Sequence, residues 1–301
     1  MIKNLAIKGG GVRGVAYVGA IRELDKANLL APIERVAGTS AGALMACMIC
    51  AGYTVDEIEK LMLSIQFRRF HNGWNPLRIL SGYGLFSGSY IVDFTKQLLA
   101  NSPKKLQPGA TFMDMRNAGC KDLYAFACNV SMHTVTEFSA DSTPNAPVAE
   151  AIRASMSIPF YFKAWRFEGE QSSKHIYIDG GVVYNYPLSF FDKERFNQMP
   201  TVNFESIGLY LYTQNENRKD TLNFHMPLYF TRQVFEALMV TQDYIIEEDR
   251  EQMQRSVMIN DLGIAATDFN ISPEQCSQLM ESGATATRQY IQQELKIEQS
   301  L

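Results

Sequence analysis

The chain has 301 residues, of which 46% are hydrophobic, and a formal net charge of −4 at pH 7. A chain of this length can bury a full core, and it contains no repeat and no linker rich in proline or serine. We therefore predict a single α/β domain over residues 1–301. The lack of a basic excess argues against a nucleic-acid partner and against a polybasic membrane anchor.

The cysteines and the N-terminus indicate a compartment. Five cysteines, most of them in apolar runs, are typical of free thiols in a reducing environment. Cys47 and Cys50 form a C-x-x-C pair inside a predicted helix, not at its start, so we interpret them as core residues. The first residues lack the apolar core of a signal peptide, and residues 41–51 are too few to span a bilayer. We expect a cytoplasmic location, peripheral at membranes, or a compartment reached by a non-classical route.

A glycine-rich loop, residues 9–14, follows the first predicted strand, residues 5–8, and leads into an amphipathic helix. A strand, a glycine loop and a helix form an anion-binding layout, and two interpretations of it are open. Three of the glycines satisfy the G-x-G-x-x-G of dinucleotide-binding folds, but Glu34 begins the second strand where such a site needs an acid at its end. The alternative is that the loop amides form an oxyanion hole beside the next strand.

That next strand leads into Gly38-Thr39-Ser40-Ala41-Gly42, a G-x-S-x-G motif. Ser40 lies on a turn between a short buried strand and the apolar helix at residues 41–51, and so tight a turn needs the small neighbours Gly38 and Gly42. The N-terminus of a helix favours developing negative charge, so the Ser40 hydroxyl is a candidate nucleophile. The alternative interpretation is a tight turn with a serine cap.

The middle of the chain predicts helices at residues 55–65, 89–101 and 148–154, and strands at residues 122–130 and 135–139. Thr54 and Glu57 form a capping box at the first of these helices. Between the first two helices, residues 66–86 mix aromatic side chains with arginines and glycines. This segment is either a lid or interfacial surface, or an irregular segment whose aromatic rings pack over the core.

An acidic residue marks the second chemical landmark. A short predicted strand, residues 175–178, runs into Asp179-Gly180-Gly181, where the glycines allow the carboxylate to point across the top of the sheet. The alternative is that Asp179 only caps its own turn. Beyond it we predict strands at residues 206–212 and 257–259 and helices at residues 227–254 and 273–295, which give a largely helical C-terminal part from about residue 222.

Three motifs in this order resemble the patatin-like phospholipases, relatives of the cytosolic phospholipase A enzymes. They are the loop at residues 9–14, the motif at residues 38–42 and the Asp179-Gly180-Gly181 step. Further similarity lies at residues 84–86, 154–159, 185–187 and 255–283, so the resemblance covers nearly the whole chain. It implies a three-layer α/β/α fold around a central, mostly parallel sheet.

The resemblance also implies a Ser-Asp dyad, with Ser40 as nucleophile and Asp179 as its base. The amides of Gly9, Gly10 and Gly11 would form the oxyanion hole, and Arg13 would brace that loop electrostatically. The implied activity is hydrolysis of lipid acyl esters, of the phospholipase A or lysophospholipase type, with transient contact to a membrane surface. We find no convergent metal ligands in the sequence, so we expect neither a cofactor nor a metal.

Two other functions are open at this point. A general α/β-hydrolase esterase needs Ser, acid and His in chain order, and only His225 follows Asp179. His71, His133 and His175 are no better placed, and His175 lies about 13 Å along its strand from Asp179. A non-catalytic lipid-sensing module is the second alternative. A protein activator is compatible with the sequence, but no residue identifies one, and none specifies the lipid head group or chain length.

Overall fold

The structure is a computed structural model that describes residues 1–71, 73–167, 175–197, 201–214 and 227–298. Its strands are β1 (Asn4–Ile7), β2 (Arg35–Thr39), β3 (Gly84–Phe86), β4 (Asp122–Asn129), β5 (Thr134–Phe138), β6 (Phe160–Phe162), β7 (Tyr177–Asp179), β8 (Ser206–Tyr212) and β9 (Ser256–Asn260). Its α-helices are α1 (Ala16–Lys26), α2 (Ala41–Cys50), α3 (Val55–Ser64), α4 (Arg78–Gly82), α5 (Ser89–Ala100), α6 (Phe112–Asn117), α7 (Val148–Ser155), α8 (Pro227–Glu248), α9 (Arg250–Gln254) and α10 (Pro273–Glu298).

Among the described residues, seven strands form the main sheet, in the order β5-β4-β2-β1-β8-β9, with β7 also paired to β4. The neighbours β4, β2, β1, β8 and β9 all run parallel, whereas β5 and β7 run antiparallel to β4. Two short strands, β3 and β6, pair separately. The prediction of an α/β fold with a mostly parallel sheet is confirmed.

Both faces of the sheet are covered, because alternate strand residues point to opposite sides. Leu5 and Ile7 of β1 point into the larger core, which also contains buried residues of α1, α2 and α10. Tyr124 and Phe126 of β4 point the other way, against Phe190 in a short 3₁₀ helix. Helices cover one face of the sheet, and 3₁₀ turns together with Ile246 of α8 cover the other.

Most predicted elements have the expected type, and their bounds differ by one or two residues. The capping box at Thr54 is formed: its hydroxyl accepts the N–H of Glu57, and the Glu57 carboxylate accepts the N–H of Thr54. Cys47 and Cys50 are free and buried, as expected for core residues, and burial raises the pKa of Cys47 to about 12. Within the described helices, none combines the length and the apolar character needed to cross a membrane.

The prediction of one helix over residues 227–254 is wrong. Helix α8 ends at Glu248, and the side chain of Asp249 accepts the N–H groups of Glu251 and Gln252 to begin α9. The predicted strand at residues 257–259 is present as β9, which extends the main sheet beside the helices of the C-terminal part. The sequence interpretation also missed α4, α6, β3 and β6. Three-residue strands show no periodicity, but α6 does begin with a capping box of Thr111 and Asp114.

Residues 66–86 contain both buried and exposed apolar side chains. Phe70 and Phe86 are buried against the main core, as rings packed over the fold would be. Trp74, Leu77 and Leu80, by contrast, are exposed, and the last two by 72% and 83%. The segment therefore has an inner side that closes the core and an outer side that presents apolar surface.

Two glycines allow β1, β2 and α2 to approach closely. A Cβ atom on Gly42 would lie 2.3 Å from the carbonyl oxygen of Ile7, and one on Gly38 would lie 2.3 Å from that of Gly42. Both contacts are to backbone atoms, which cannot move without displacing a strand or a helix. Any larger residue would force the start of α2 away from the sheet.

We expect Gly42→Ala to lower the free energy of unfolding by about 2–3 kcal/mol, because the added methyl group meets fixed backbone. Urea denaturation followed by circular dichroism measures this. Gly109→Ala is the matched control, since a Cβ there would meet no atom of the described residues within 4 Å, and it should change stability by less than about 0.5 kcal/mol. Equal stabilities for the two variants would contradict the packing argument.

Candidate active site

The register of the sheet places Ser40 beside Asp179. Thr39, the last residue of β2, pairs with Phe126 on β4, and Asp179, the last residue of β7, pairs with the next residue, Ala127. Strand β4 is long enough to pair first with β2 and then with β7 along one edge. Two residues 139 positions apart in the chain therefore meet at one point.

Ser40 has a strained backbone conformation on a sharp turn. Its φ is +53° and its ψ is −123°, and it is the N-cap of α2. Such a conformation is costly for a residue with a Cβ and is found at functional sites. The Ser40 hydroxyl donates a hydrogen bond of 2.7 Å to Oδ2 of Asp179. The turn thus aims the hydroxyl at the carboxylate.

Asp179 is completely buried and uses both carboxylate oxygens. Oδ2 accepts from Ser40, and Oδ1 accepts the N–H of Gly181 at 2.7 Å. Turn capping and contact with the serine, posed as alternatives from the sequence, therefore coexist on one side chain. Burial raises the pKa of Asp179 to about 7, although these two hydrogen bonds and the positive charge of Arg153 oppose the rise. Its carboxylate is a much stronger base than an ordinary aspartate.

The described histidines lie elsewhere. His175 shares a 3.1 Å hydrogen bond between Nδ1 and the side chain of Asn129, and neither it nor His133 contacts Ser40 or Asp179. The side chain of His71 and the whole of His225 lie outside the described part of the structure.

The glycine loop lies at the end of β1, next to the Ser40 turn. The N–H of Gly9 donates to the carbonyl oxygen of Asn185 at 3.0 Å, so that amide is occupied. For the N–H groups of Gly10 and Gly11, no acceptor is found among the described residues. Gly11 has a φ of +58° and lines the same cavity as Ser40. Two of the three predicted donors are therefore free to bind an anion.

Arg13 binds the carbonyl side of this loop. Its Nε donates to the carbonyl oxygen of Gly10 at 3.0 Å, and Nη1 lies 2.6 Å from Oδ2 of Asp261. Asp261 is fully buried and follows β9. The guanidinium thus fixes the carbonyl side of the Gly10 peptide and ties the loop to the C-terminal part of the chain.

The family model described as patatin-like phospholipase matches residues 5–192, which include the glycine loop, Ser40 and Asp179. The chain belongs to the patatin-like phospholipase family. It is 28% identical over 298 residues to an uncharacterised protein of Acanthamoeba polyphaga mimivirus, covering 96% of this chain and 94% of that protein. It is also 26% identical over 193 residues to a probable lipid hydrolase of Invertebrate iridescent virus 6, covering 62% of each.

Solved structures of bacterial proteins share the fold of this patatin-like chain. VipD of Legionella pneumophila matches with a TM-score of 0.62 and 16% identity, over 97% of this chain and 67% of that one. ExoU of Pseudomonas aeruginosa, in its complex with SpcU, matches with a TM-score of 0.56 and 18% identity, over 98% and 52%. At such identities the similarity concerns the fold alone.

Two polar residues of this patatin-like site were given no role by the sequence interpretation. Ser155, at the end of α7, accepts the N–H of Ser40 at 2.8 Å and donates to the carbonyl oxygen of Phe126 at 2.6 Å. Arg153 is fully buried, and its guanidinium donates to the carbonyl oxygens of Ser87 and Lys163. Ser155 lies within the segment at residues 154–159 that carries part of the family resemblance, and Arg153 directly precedes it, but only the tertiary structure shows what they contact.

An apolar cavity of about 30 Å³ opens beside Ser40. Its lining is Gly11, Ser40, Ala41, Leu44, Met62, Ile65, Phe67, Phe70, Met156, Ile158, Phe162 and Phe269. Phe70 packs edge-on against Phe162 and Phe269, with ring centroids 6.1 Å and 5.4 Å away. Among the described lining residues, Ser40 alone carries a polar side-chain group, so the wall of the cavity is otherwise apolar.

We expect Asp179→Asn to unfold at a higher temperature than wild type at pH 8, by roughly 3 °C or more. The pKa of Asp179 is raised in the folded protein. The stabilisation of the folded state by this residue is therefore fully present below about pH 4 and is lost as the pH rises through about 7. Asparagine keeps the shape and cannot ionise.

Thermal unfolding at pH 8 and pH 5 measures this difference, which should shrink at pH 5 because wild type is then protonated. Asp93→Asn, at an exposed position of α5, is the control and should show no such dependence on pH. A wild type as stable as Asp179→Asn at pH 8 would contradict the assigned desolvation.

Proposed function

We propose that this chain is a lipid acyl hydrolase of the phospholipase A or lysophospholipase type, acting through a dyad of Ser40 and Asp179. The observation that carries the proposal is the 2.7 Å hydrogen bond from the Ser40 hydroxyl to a buried carboxylate. A carboxylate with a pKa of about 7 is matched to taking up and returning a proton near neutral pH. Family membership supports a lipid ester as the substrate.

Acylation begins when Oγ of Ser40 attacks the ester carbonyl carbon and its proton passes to Oδ2 of Asp179. The oxyanion that forms accepts the free N–H groups of Gly10 and Gly11, helped by the N-terminus of α2. The ester C–O bond then breaks, and Asp179 returns the proton to the leaving alcohol oxygen. The products of this half-reaction are the free alcohol and an acyl ester on Ser40.

Deacylation repeats these steps with water. Asp179 accepts a proton from a water molecule as that water attacks the acyl carbonyl carbon, and the oxyanion again binds to the loop amides. Collapse of the intermediate releases the fatty acid, and Ser40 regains its proton from Asp179. The acyl chain would lie in the apolar cavity, which must widen because its present volume of about 30 Å³ holds only a few atoms.

The two alternatives explain the site less well. A hydrolase with a histidine base needs an imidazole at Ser40, and no described histidine lies there. A lipid-sensing module has no need for a strained serine hydrogen-bonded to a buried carboxylate. A dyad uses both features.

The outer side of residues 66–86 is the proposed membrane contact. Leu77 and Leu80 lie on or next to α4, and β3 follows directly and pairs with β6, whose Phe162 lines the cavity. An apolar surface connected in this way to the cavity would place Ser40 near lipid esters. Insertion of exposed leucines into a bilayer is favourable by the apolar area removed from water.

We expect the wild type to hydrolyse short p-nitrophenyl acyl esters and to release fatty acid from phospholipid, and Ser40→Ala and Asp179→Ala each to lower kcat by at least about a thousandfold. Product release assayed by absorbance and by mass spectrometry measures this. Folded wild type that is inert on a broad panel of esters and lipids would contradict the proposed function.

The pH profile gives an independent expectation. Asp179 must be ionised to accept the proton, so kcat/KM should rise with pH and level off above about pH 7. An acid limb near pH 4 would indicate an ordinary solvated carboxylate and would count against Asp179 as the base.

The double variant Leu77→Asp with Leu80→Asp should lower hydrolysis of phospholipid vesicles by about tenfold or more, because two apolar contacts with the bilayer are lost. Its rate on a water-soluble ester should match that of wild type. Phe204→Asp is the control, since Phe204 is 67% exposed but lies just before β8, among the N-terminal ends of the parallel strands, whereas Ser40 follows the C-terminal end of β2. Equal losses on both substrates would contradict a membrane role.

A further inference from the structure

Gln242 of helix α8 forms hydrogen bonds with the turn that follows Asp179. Nε2 of Gln242 donates to the carbonyl oxygen of Gly181 at 2.7 Å and to that of Val182 at 3.2 Å. Oε1 of the same side chain accepts the N–H of Asn185 at 2.9 Å. The side-chain amide of Gln242 therefore bonds to both ends of the turn, with its N–H groups to one end and its oxygen to the other.

This turn is continuous with both halves of the site. Gly181, whose carbonyl oxygen Gln242 binds, donates its own N–H to Oδ1 of Asp179. Asn185, whose N–H binds Gln242, accepts the N–H of Gly9 at the start of the glycine loop. One side chain of α8 is thus two hydrogen bonds away from the carboxylate and two from the loop.

The next residue anchors the helix to the same loop. Asp243 lies 2.6 Å from Nζ of Lys8, which directly precedes Gly9. Lys8 is buried, and its ammonium also donates to the carbonyl oxygen of Leu211 at 2.7 Å and lies over the ring of Tyr210. A buried ion pair is strongly sensitive to loss of one partner, so α8 is held in one position relative to β1.

We infer that Gln242 is a positioning residue that sets the Asp179 turn and the glycine loop in register with each other. The inference rests on the proposed function, and it concerns a helix beyond residue 192, where the family match ends. Proton transfer and oxyanion binding need the base and the donors on fixed sides of the reacting carbon. A misplacement of about 1 Å is enough to cost about a hundredfold in rate.

The variant Gln242→Met keeps the length of the side chain and removes both the donor and the acceptor. We expect its kcat to fall about tenfold to a hundredfold, with KM on a soluble ester unchanged within about twofold. Thr241→Ala is the matched control. Thr241 is the preceding α8 residue, and its hydroxyl donates to the carbonyl oxygen of Ala237 within the same helix. It makes no contact with the Asp179 turn or the glycine loop in the described part of the chain, so this variant should retain the wild-type kcat.

A second variant tests the pH dependence of kcat/KM, which would not change if Gln242 had a purely structural role. Gln242→Glu keeps an acceptor for the Asn185 N–H but places a carboxylate near Asp179. A like charge disfavours ionisation, so the pKa of Asp179 should rise and the acid limb of kcat/KM should shift to higher pH. Gln242→Met adds no charge and should leave that limb in place. If Gln242→Met does not fold, the shift in Gln242→Glu carries the test.

The outcomes separate this inference from the proposed function. Wild type without esterase activity overturns the proposed function, and the inference with it. Active wild type together with a folded Gln242→Met of wild-type kcat overturns the inference alone, as does an unmoved acid limb in Gln242→Glu. A loss of kcat in Gln242→Met that Thr241→Ala does not share supports it.

Discussion

The hydrogen bond from Ser40 to Asp179 makes a demanding requirement of the fold. The carboxylate must be buried, because only desolvation brings its pKa to about 7, and yet it must reach a serine on another strand. Burial of a carboxylate is costly unless hydrogen bonds compensate. The N–H of Gly181 provides one, the Ser40 hydroxyl provides the other, and the positive charge of Arg153 also favours the ionised carboxylate.

Most of the neighbouring structure follows from that requirement. Ser40 is held at a positive φ because its N–H binds Ser155, which in turn bonds to β4, and because Gly38 and Gly42 let α2 start directly against the sheet. Strain of this kind persists only where the surroundings over-determine it. The same strand, β4, pairs with β2 and β7, so a single element sets the distance between Ser40 and Asp179.

The second half of the chain completes a site whose motifs lie in the first 192 residues. Asp261, after β9, binds Arg13, and Asp243, in α8, binds Lys8, so buried charges flank the glycine loop on both sides. Because these pairs join distant segments, folding of the C-terminal part and assembly of the loop are coupled. A disturbance of α8 would therefore reach the glycine loop and the Asp179 turn together.

The sequence by itself determined the parts that depend on local chemistry. Each of these parts depends on a few consecutive residues. They are the glycines at close backbone contacts, the serine at a strand-to-helix turn, the acidic residue at a strand end, and the apolar patterns of β1, α2 and β4. Local signals do not reveal partners, so short strands such as β3 and β6 and the break at Asp249 were missed. Only the tertiary structure decided that the N–H of Gly9 donates to Asn185, that the N–H of Ser40 donates to Ser155, and that Asp179 is fully buried. The reason is physical: burial and hydrogen-bond pairing between segments more than 100 residues apart depend on sheet order and register, which no local pattern encodes.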